Sequence, residues 1–235
     1  MMKISKFIPQ RCPLCFSLYR GAEPICENCR NEIKKYSYGT RCSKCGRLLD
    51  SDEVRYCIHC KRVQPQFVLA FAVFPYKGIF KEAIRKVKFY DEYFRIRRMS
   101  RLISNEFFKM NLNADCIVYV PTDIKTNFKR RYCLSQEIAY SVASKLNISV
   151  YKDFLLKKPN AQKQSLVDFN KRYTNVKNMF MKNPFTVRNV KGKTVFLVDD
   201  ILTTGSTLSE CARILKEAGA KEVYAAALTY GASNA

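Results

Sequence analysis

Two adjacent carboxylates followed by a hydroxyl-rich turn are the residues best placed to do chemistry. Positions 194–207 read Thr-Val-Phe-Leu-Val-Asp-Asp-Ile-Leu-Thr-Thr-Gly-Ser-Thr. Residues 195–198 have the length and β-branched content of a buried strand. Beyond the turn, Leu208, Cys211, Ala212 and Leu215 recur on one helical face, and Gly219 stands just past its end. The turn therefore joins a strand to a helix N-terminus, where unpaired backbone N–H groups and the positive end of the helix dipole favour an anion. Gly205 lets the backbone approach a phosphate, and Thr203, Thr204, Ser206 and Thr207 add hydroxyl donors. Asp199 and Asp200 stand where two ribose hydroxyls, or a magnesium ion, would be held. A helix cap alone needs one acidic residue, not two ahead of a Thr-Thr-Gly-Ser-Thr run.

A second set of reactive groups is made of thiols. Four Cys-x-x-Cys pairs, Cys12/Cys15, Cys26/Cys29, Cys42/Cys45 and Cys57/Cys60, fall in roughly the first quarter of the chain. A two-residue gap lets both sulfurs of a pair bind one tetrahedral zinc. Ten residues separate the first two pairs and eleven the last two, enough for each second pair to return to the metal of the first. The expectation is two structural four-cysteine zinc ribbons in sequence, with Gly46 easing the second knuckle. Interleaved ligation, the first and third pairs on one metal, is the alternative. Disulfides would need an oxidising compartment, and an iron–sulfur cluster is a further competitor. His59, the only histidine, lies inside Cys57-Ile58-His59-Cys60 and replaces no missing ligand. Cys116 and Cys211 read as packing residues, and Cys133 stands alone. A segment this small cannot build a large core, so metal ligation must supply its folding energy.

Charge points to polyanions. The 235 residues carry a formal net charge of +22, and two zinc–thiolate centres bring it to roughly +18. Basic residues cluster at 77–101, recur at Lys125, Lys129, Arg130 and Arg131, and again at 152–163. Arg85, Lys88, Arg97, Arg98, Arg130 and Arg131 are the expected nucleic-acid contacts, with Phe89, Tyr90 and Tyr93 as candidate stacking rings. The longest apolar run, residues 67–74, is too short to span a membrane, and residues 1–10 lack the apolar stretch of a secretory signal. A cytoplasmic protein is expected.

These groups need a scaffold. Residues 67–76 and 116–120 read as strands. Apolar spacing predicts helices around 79–87, 99–107 and 134–146. A strand near 150–156, a polar segment to about 188 and a closing strand at 223–229 follow. Strands alternating with helices imply a mostly parallel, doubly covered sheet, with ligands bound beyond the carboxyl ends of its strands. Residues 62–66 are read as a join, giving a zinc-ribbon domain at 1–64 and an α/β domain at 65–235.

The run 195–207 resembles the phosphoribosyl-pyrophosphate (PRPP) loop of type I phosphoribosyltransferases, without a gap. An eight-cysteine head joined to such a loop is similar to the ComF family of bacterial competence proteins. The resemblance extends to Pro75-Tyr76-Lys77-Gly78, Val87-Lys88-Phe89, Pro121 with Gln136, and Gln162-x-x-Ser165-Leu166 with Arg172 and Asn178. Family members carry Arg-Gly-Phe-Asn-Gln before the third helix, whereas this chain has Arg131-Tyr132-Cys133-Leu134-Ser135-Gln136, without the glycine. The resemblance implies a type I phosphoribosyltransferase-like α/β fold behind a double zinc ribbon. It implies PRPP and magnesium at Asp199, Asp200 and 203–207, with Lys125 beside the pyrophosphate and residues 157–166 as a hood. It also implies a role in DNA uptake with single-stranded DNA and other uptake proteins as partners. Two other functions stay open: pentosyl transfer from PRPP to an unidentified acceptor, and non-enzymatic PRPP sensing.

Overall fold

The computed structural model describes residues 9–36, 39–89, 92, 94–122, 133–159 and 176–231. Each cysteine ribbon begins as a hairpin and ends as a helix. In the first, β1 (Gln10–Arg11) and β2 (Leu18–Tyr19) pair antiparallel around Cys12 and Cys15, and Cys26 opens α1 (Glu27–Lys35). In the second, an Arg41–Leu48 bridge closes around Cys42 and Cys45, and Cys57 opens α2 (Ile58–Val63). The expected join at 62–66 is thus partly helical, because Cys57 caps α2 by accepting from the Cys60 N–H. The helix ends at Gln64, in a left-handed conformation.

The α/β part begins with β3 (Ala70–Pro75), α3 (Gly78–Phe89), α4 (Phe94–Lys109), β4 (Cys116–Tyr119) and α5 (Leu134–Leu146). It continues with β5 (Ser149–Val150), β6 (Leu155–Lys157), β7 (Phe180–Lys182), β8 (Thr194–Leu202), α6 (Ser206–Glu217) and β9 (Glu222–Tyr230). Five strands form one sheet in the order β3-β9-β8-β4-β5, every neighbouring pair parallel. The strand expected near 150–156 is instead two short pieces. The chain leaves the sheet after Val150, turns through Asp153 at φ +52°, and pairs β6 with β7 antiparallel in a separate two-stranded sheet. Of these two strands, β7 interrupts the stretch read as a polar segment.

Alternate side chains along each strand go to opposite layers. Ile117, Phe196, Val198 and Ala226 face a core built with α3, α4 and α5. Val118, Val195, Leu197 and Ala225 face a core built with α6 and the β6–β7 pair. The ribbons divide in the same way. Cys12, Leu14, Ile25, Cys26 and Cys29 belong to the first core, and Cys42, Cys45 and Cys60 to the second. The head therefore straddles β3, the edge strand, with one ribbon on each side of the sheet.

Two features seat it there. The Ala70 N–H donates to the Lys44 carbonyl at 2.7 Å, covering part of the edge. Gly46, at φ +69°, lies so close that a β-carbon would sit 3.0 Å from the Ala70 carbonyl oxygen and 3.2 Å from the Tyr230 hydroxyl. Its missing side chain serves the turn and the approach together.

Candidate functional site

Four sulfurs at 2.3 Å from a tetrahedral zinc lie about 3.8 Å from one another. In the first ribbon Cys12–Cys29 and Cys15–Cys26 are 3.7 and 3.6 Å apart, and in the second Cys45–Cys57 is 3.8 Å. The groups are Cys12/Cys15/Cys26/Cys29 and Cys42/Cys45/Cys57/Cys60, with all four ligand atoms of each within 4.8 Å. Consecutive pairs therefore share a site, and the interleaved alternative falls. Both groups fit structural zinc. Backbone N–H groups donate to the sulfurs (Cys26 to Cys12 at 3.5 Å, Cys57 to Cys42 at 3.4 Å), which favours thiolates. Cys116 and Cys211 are buried among apolar neighbours, as read from sequence, and burial pushes the Cys116 thiol up to about 11.

The other site lies at the carboxyl end of β8. The strand runs longer than residues 195–198, through both acids to Leu202, because β9 pairs with it as far as Leu202–Tyr230. Asp199 and Asp200 are thus held by the sheet rather than by a turn. The Asp200 N–H donates to Asp199 Oδ1 at 2.8 Å. Burial, and then the charge of Asp200, hold the Asp199 carboxyl well above the usual carboxylate range. Lys88 of α3 forms an ion pair with Asp200, both side chains being mostly buried. The lysine named as a nucleic-acid contact is therefore part of the acidic site.

After Leu202 the chain takes three residues to enter α6. Gly205 is its N-cap at φ +77°, a conformation that costs other residues about 1–2 kcal/mol. A β-carbon there would meet Phe67 and Leu202 at ordinary contact distances, so the left-handed turn is what calls for glycine. Thr204 and Ser206 are buried, and their hydroxyls bond each other at 2.6 Å. Thr203 is exposed and Thr207 half-buried, so these two hydroxyls are the ones turned toward solvent. At the other end of α6, Gly219 (φ +93°) donates to the Lys216 carbonyl and Ala220 to the Leu215 carbonyl, closing a Schellman motif. Glu210 of α6 accepts from the Asn178 N–H at 2.9 Å and pairs with Arg213, tying the β7 side of the chain to the helix.

Sequence reasoning missed three features. Arg47 of the second ribbon donates to the Thr203 carbonyl at 3.3 Å, and the His59 ring lies beside the Thr204 backbone. A cavity of about 660 Å³ runs beside Thr203 between head and sheet, with Tyr36, Arg41, Tyr76, Glu106 and Tyr230 in its lining. No local spacing links residues so far apart in the chain. Lys125 and the hood from Asn160 onward lie outside the described residues.

Two sequence profiles match the chain in tandem: a Double zinc ribbon domain over residues 4–61 and a Phosphoribosyl transferase domain over residues 135–235. Competence protein F of Haemophilus influenzae is 25% identical over 228 residues, spanning 92% of this chain and 95% of that protein. The chain thus carries a double zinc ribbon ahead of a phosphoribosyltransferase domain and is similar over most of its length to this competence protein. Competence protein ComFC of Bacillus subtilis is 26% identical over 208 residues, spanning 86% of this chain and 82% of that protein. Among solved structures, the glutamine PRPP amidotransferase of Bacillus subtilis complexed with ADP and GMP matches at a TM-score of 0.38 and 23% identity. That match covers 55% of this chain and 25% of the other.

The basic helices α3 and α4 sort the cations of this chain. Arg85 and Arg97 are exposed, Arg85 beside Glu82 at 3.5 Å. Arg98 instead holds the head, donating to the Arg11 carbonyl at 2.5 Å and to the Tyr19 hydroxyl. Phe89 is 67% exposed and Phe94, at the start of α4, 55%. Tyr90, Tyr93, Arg130 and Arg131 lie outside the described residues. Among the described residues, no helix is long and apolar enough to cross a membrane.

Proposed function

We propose that this protein is a member of the ComF family and takes part in DNA uptake in the cytoplasm. It holds magnesium-PRPP at Asp199, Asp200 and residues 203–207, and it handles single-stranded DNA on the basic faces of α3 and α4, beside other uptake proteins. The observation that carries the reading is the junction of β8 and α6. It sets an acidic pair at a strand end one short turn from a helix N-terminus, the two chemistries that a phosphorylated pentose with a metal requires. Calorimetry of PRPP and of an oligothymidine, each with and without magnesium, tests it. Magnesium-dependent PRPP binding and salt-dependent oligothymidine binding are expected, and absence of both refutes it.

Replacing Asp199 and Asp200 together by Asn is expected to weaken magnesium-dependent PRPP binding while the circular-dichroism melt stays cooperative. Undiminished binding by the folded double variant removes the ribose and metal role from these residues.

Binding to single strands should be electrostatic and tolerant of sequence. Each neutralised phosphate contributes about −0.7 to the slope of log K against log salt, so several cationic contacts give a slope of several units. Charge reversal at Arg85 and Arg97 is the appropriate probe, because Lys88 and Arg98 are committed elsewhere. Phe89→Ala is expected to cost about 1–3 kcal/mol of strand binding if a base stacks there. A flat salt dependence, or equal loss of PRPP and DNA binding in the Arg85/Arg97 variant, counts against DNA handling.

The cavity beside Thr203 favours a second reading, pentosyl transfer, because its volume suits a small acceptor. The acceptor would bond to the anomeric carbon as the bond to pyrophosphate breaks, with the protein positioning the reactants and neutralising charge. Pyrophosphate release from magnesium-PRPP on adding candidate acceptors separates the two readings.

A further inference from the structure

The turn at 203–205 is gripped from outside its own sheet. Arg47 lies two residues beyond Cys45, and His59 between Cys57 and Cys60, so the two come from the two knuckles of one cysteine group. Arg47 Nη2 donates to the carbonyl oxygen of Thr203 at 3.3 Å, and the His59 ring lies beside the backbone of Thr204. Just below, the Phe67 ring packs against Gly205 and the Gln66 N–H donates to Ser209 Oγ at 3.1 Å. The sulfurs of this ribbon share a core with Leu202, Leu208 and Cys211, which flank the turn.

A trans peptide is planar, with its C=O and N–H on opposite sides. Drawing the Thr203 and Thr204 carbonyls toward the ribbon therefore turns the N–H groups of Thr204 and Gly205 away from it. Successive N–H groups on one side of a turn that includes a left-handed residue form an anion-binding concavity. We propose that the second zinc ribbon is a working part of the phosphate site. In it Arg47 and His59 are positioning residues that aim the Thr204 and Gly205 amides at the anion, and zinc fixes both through their knuckles. This rests on the reading that residues 203–207 receive a phosphate. Linkage is reciprocal: whatever the ribbon contributes to anion binding, the bound anion returns as tighter retention of this zinc.

The test uses the full chain with its zinc content measured, as wild type, Arg47→Ala, His59→Ala, the double variant and His59→Gln. Two readouts are taken: amide hydrogen exchange over residues 202–209, and calorimetry with magnesium-PRPP. In the double variant, holding two zinc ions, exchange in the turn is expected to accelerate while the amides of β8 and β9 keep their protection. PRPP binding is expected to weaken roughly tenfold, the scale of a hydrogen bond. His59→Gln, which keeps a donor, is expected to recover part of each. If the double variant loses zinc, the single variants carry the comparison. Unchanged exchange in the turn overturns the inference, whatever PRPP does. A wild type that ignores PRPP, while the turn still responds to Arg47 and His59, overturns the ligand assignment and leaves the positioning intact.

Discussion

Metal analysis of the purified protein should return two zinc ions per chain, and a strong chelator should then collapse far more than the ribbons. Structural zinc sites contribute apparent free energies of about 10–16 kcal/mol each at neutral pH, comparable with the stability of a whole domain. Here the sulfurs belong to both hydrophobic layers, Cys12, Cys26 and Cys29 on one side and Cys42, Cys45 and Cys60 on the other. Losing the metals leaves clustered thiols with no centre and releases the cover of β3. Hydrogen exchange after chelation should show lost protection in the ribbons and also along β3, whose Ala70 N–H depends on Lys44. One metal per chain, or visible iron–sulfur absorbance, would overturn the two-zinc assignment. Protection of β3 that survives chelation would show the head to be an independent attachment.

Arg95→Ala should be the most damaging single substitution outside the cysteines. Arg95 is 2% exposed, the largest fully buried side chain among the described residues. Its guanidinium pairs with Glu92, donates to the Pro13 carbonyl at 3.0 Å and lies 4.5 Å from the centre of the Phe16 ring. Phe16 itself sits at φ +67°, the position after the first cysteine pair of its ribbon that Gly46 fills in the second, and its ring packs on Arg95. Removing one partner of a buried ion pair costs about 3–5 kcal/mol, which for a chain of this size lowers the melting temperature on the order of 10 °C. Thermal denaturation checks this. The first zinc should also leave faster to a chelator, while the second keeps its wild-type rate. A melting temperature within about 2 °C of wild type would mean that Arg95 does not hold the ribbon to α4.

Patterns confined to short stretches were legible in the sequence. The cysteine pairs announced both metal groups because a two-residue gap is enough to place two sulfurs on one ion. The faces of α3, α4 and α5 followed from apolar spacing, and α6 from Leu208, Cys211, Ala212 and Leu215. What escaped depends on distant partners. The strand pattern covers 195–198 with the two acids at its end, but β9 extends β8 through Asp199 and Asp200 to Leu202. Lys88 and Arg98 looked like free cations, yet one answers Asp200 and the other the backbone of Arg11. Periodicity reports which face of a helix is apolar and says nothing of what meets its polar face. Residues 150–156 failed for a local reason: the left-handed turn at Asp153, whose carboxylate accepts from the Tyr119 hydroxyl at 2.8 Å, broke an apparently continuous strand.

The pairing of β3 with β9 has a consequence for how the protein is made. The first strand of the main sheet to leave the ribosome has the last one as its neighbour. Throughout translation of the intervening helices and strands, β3 is an exposed apolar ribbon, the kind of segment that joins other chains and aggregates. Among the described residues, the parts complete by then are the two zinc ribbons, whose closures are local and fast to form. Their early folding places the Lys44 carbonyl against one edge of β3 before its sheet partner exists. A cell short of zinc would thus produce not an inactive protein but a sticky nascent one, and the yield of soluble chain would follow the metal supply during synthesis rather than afterwards.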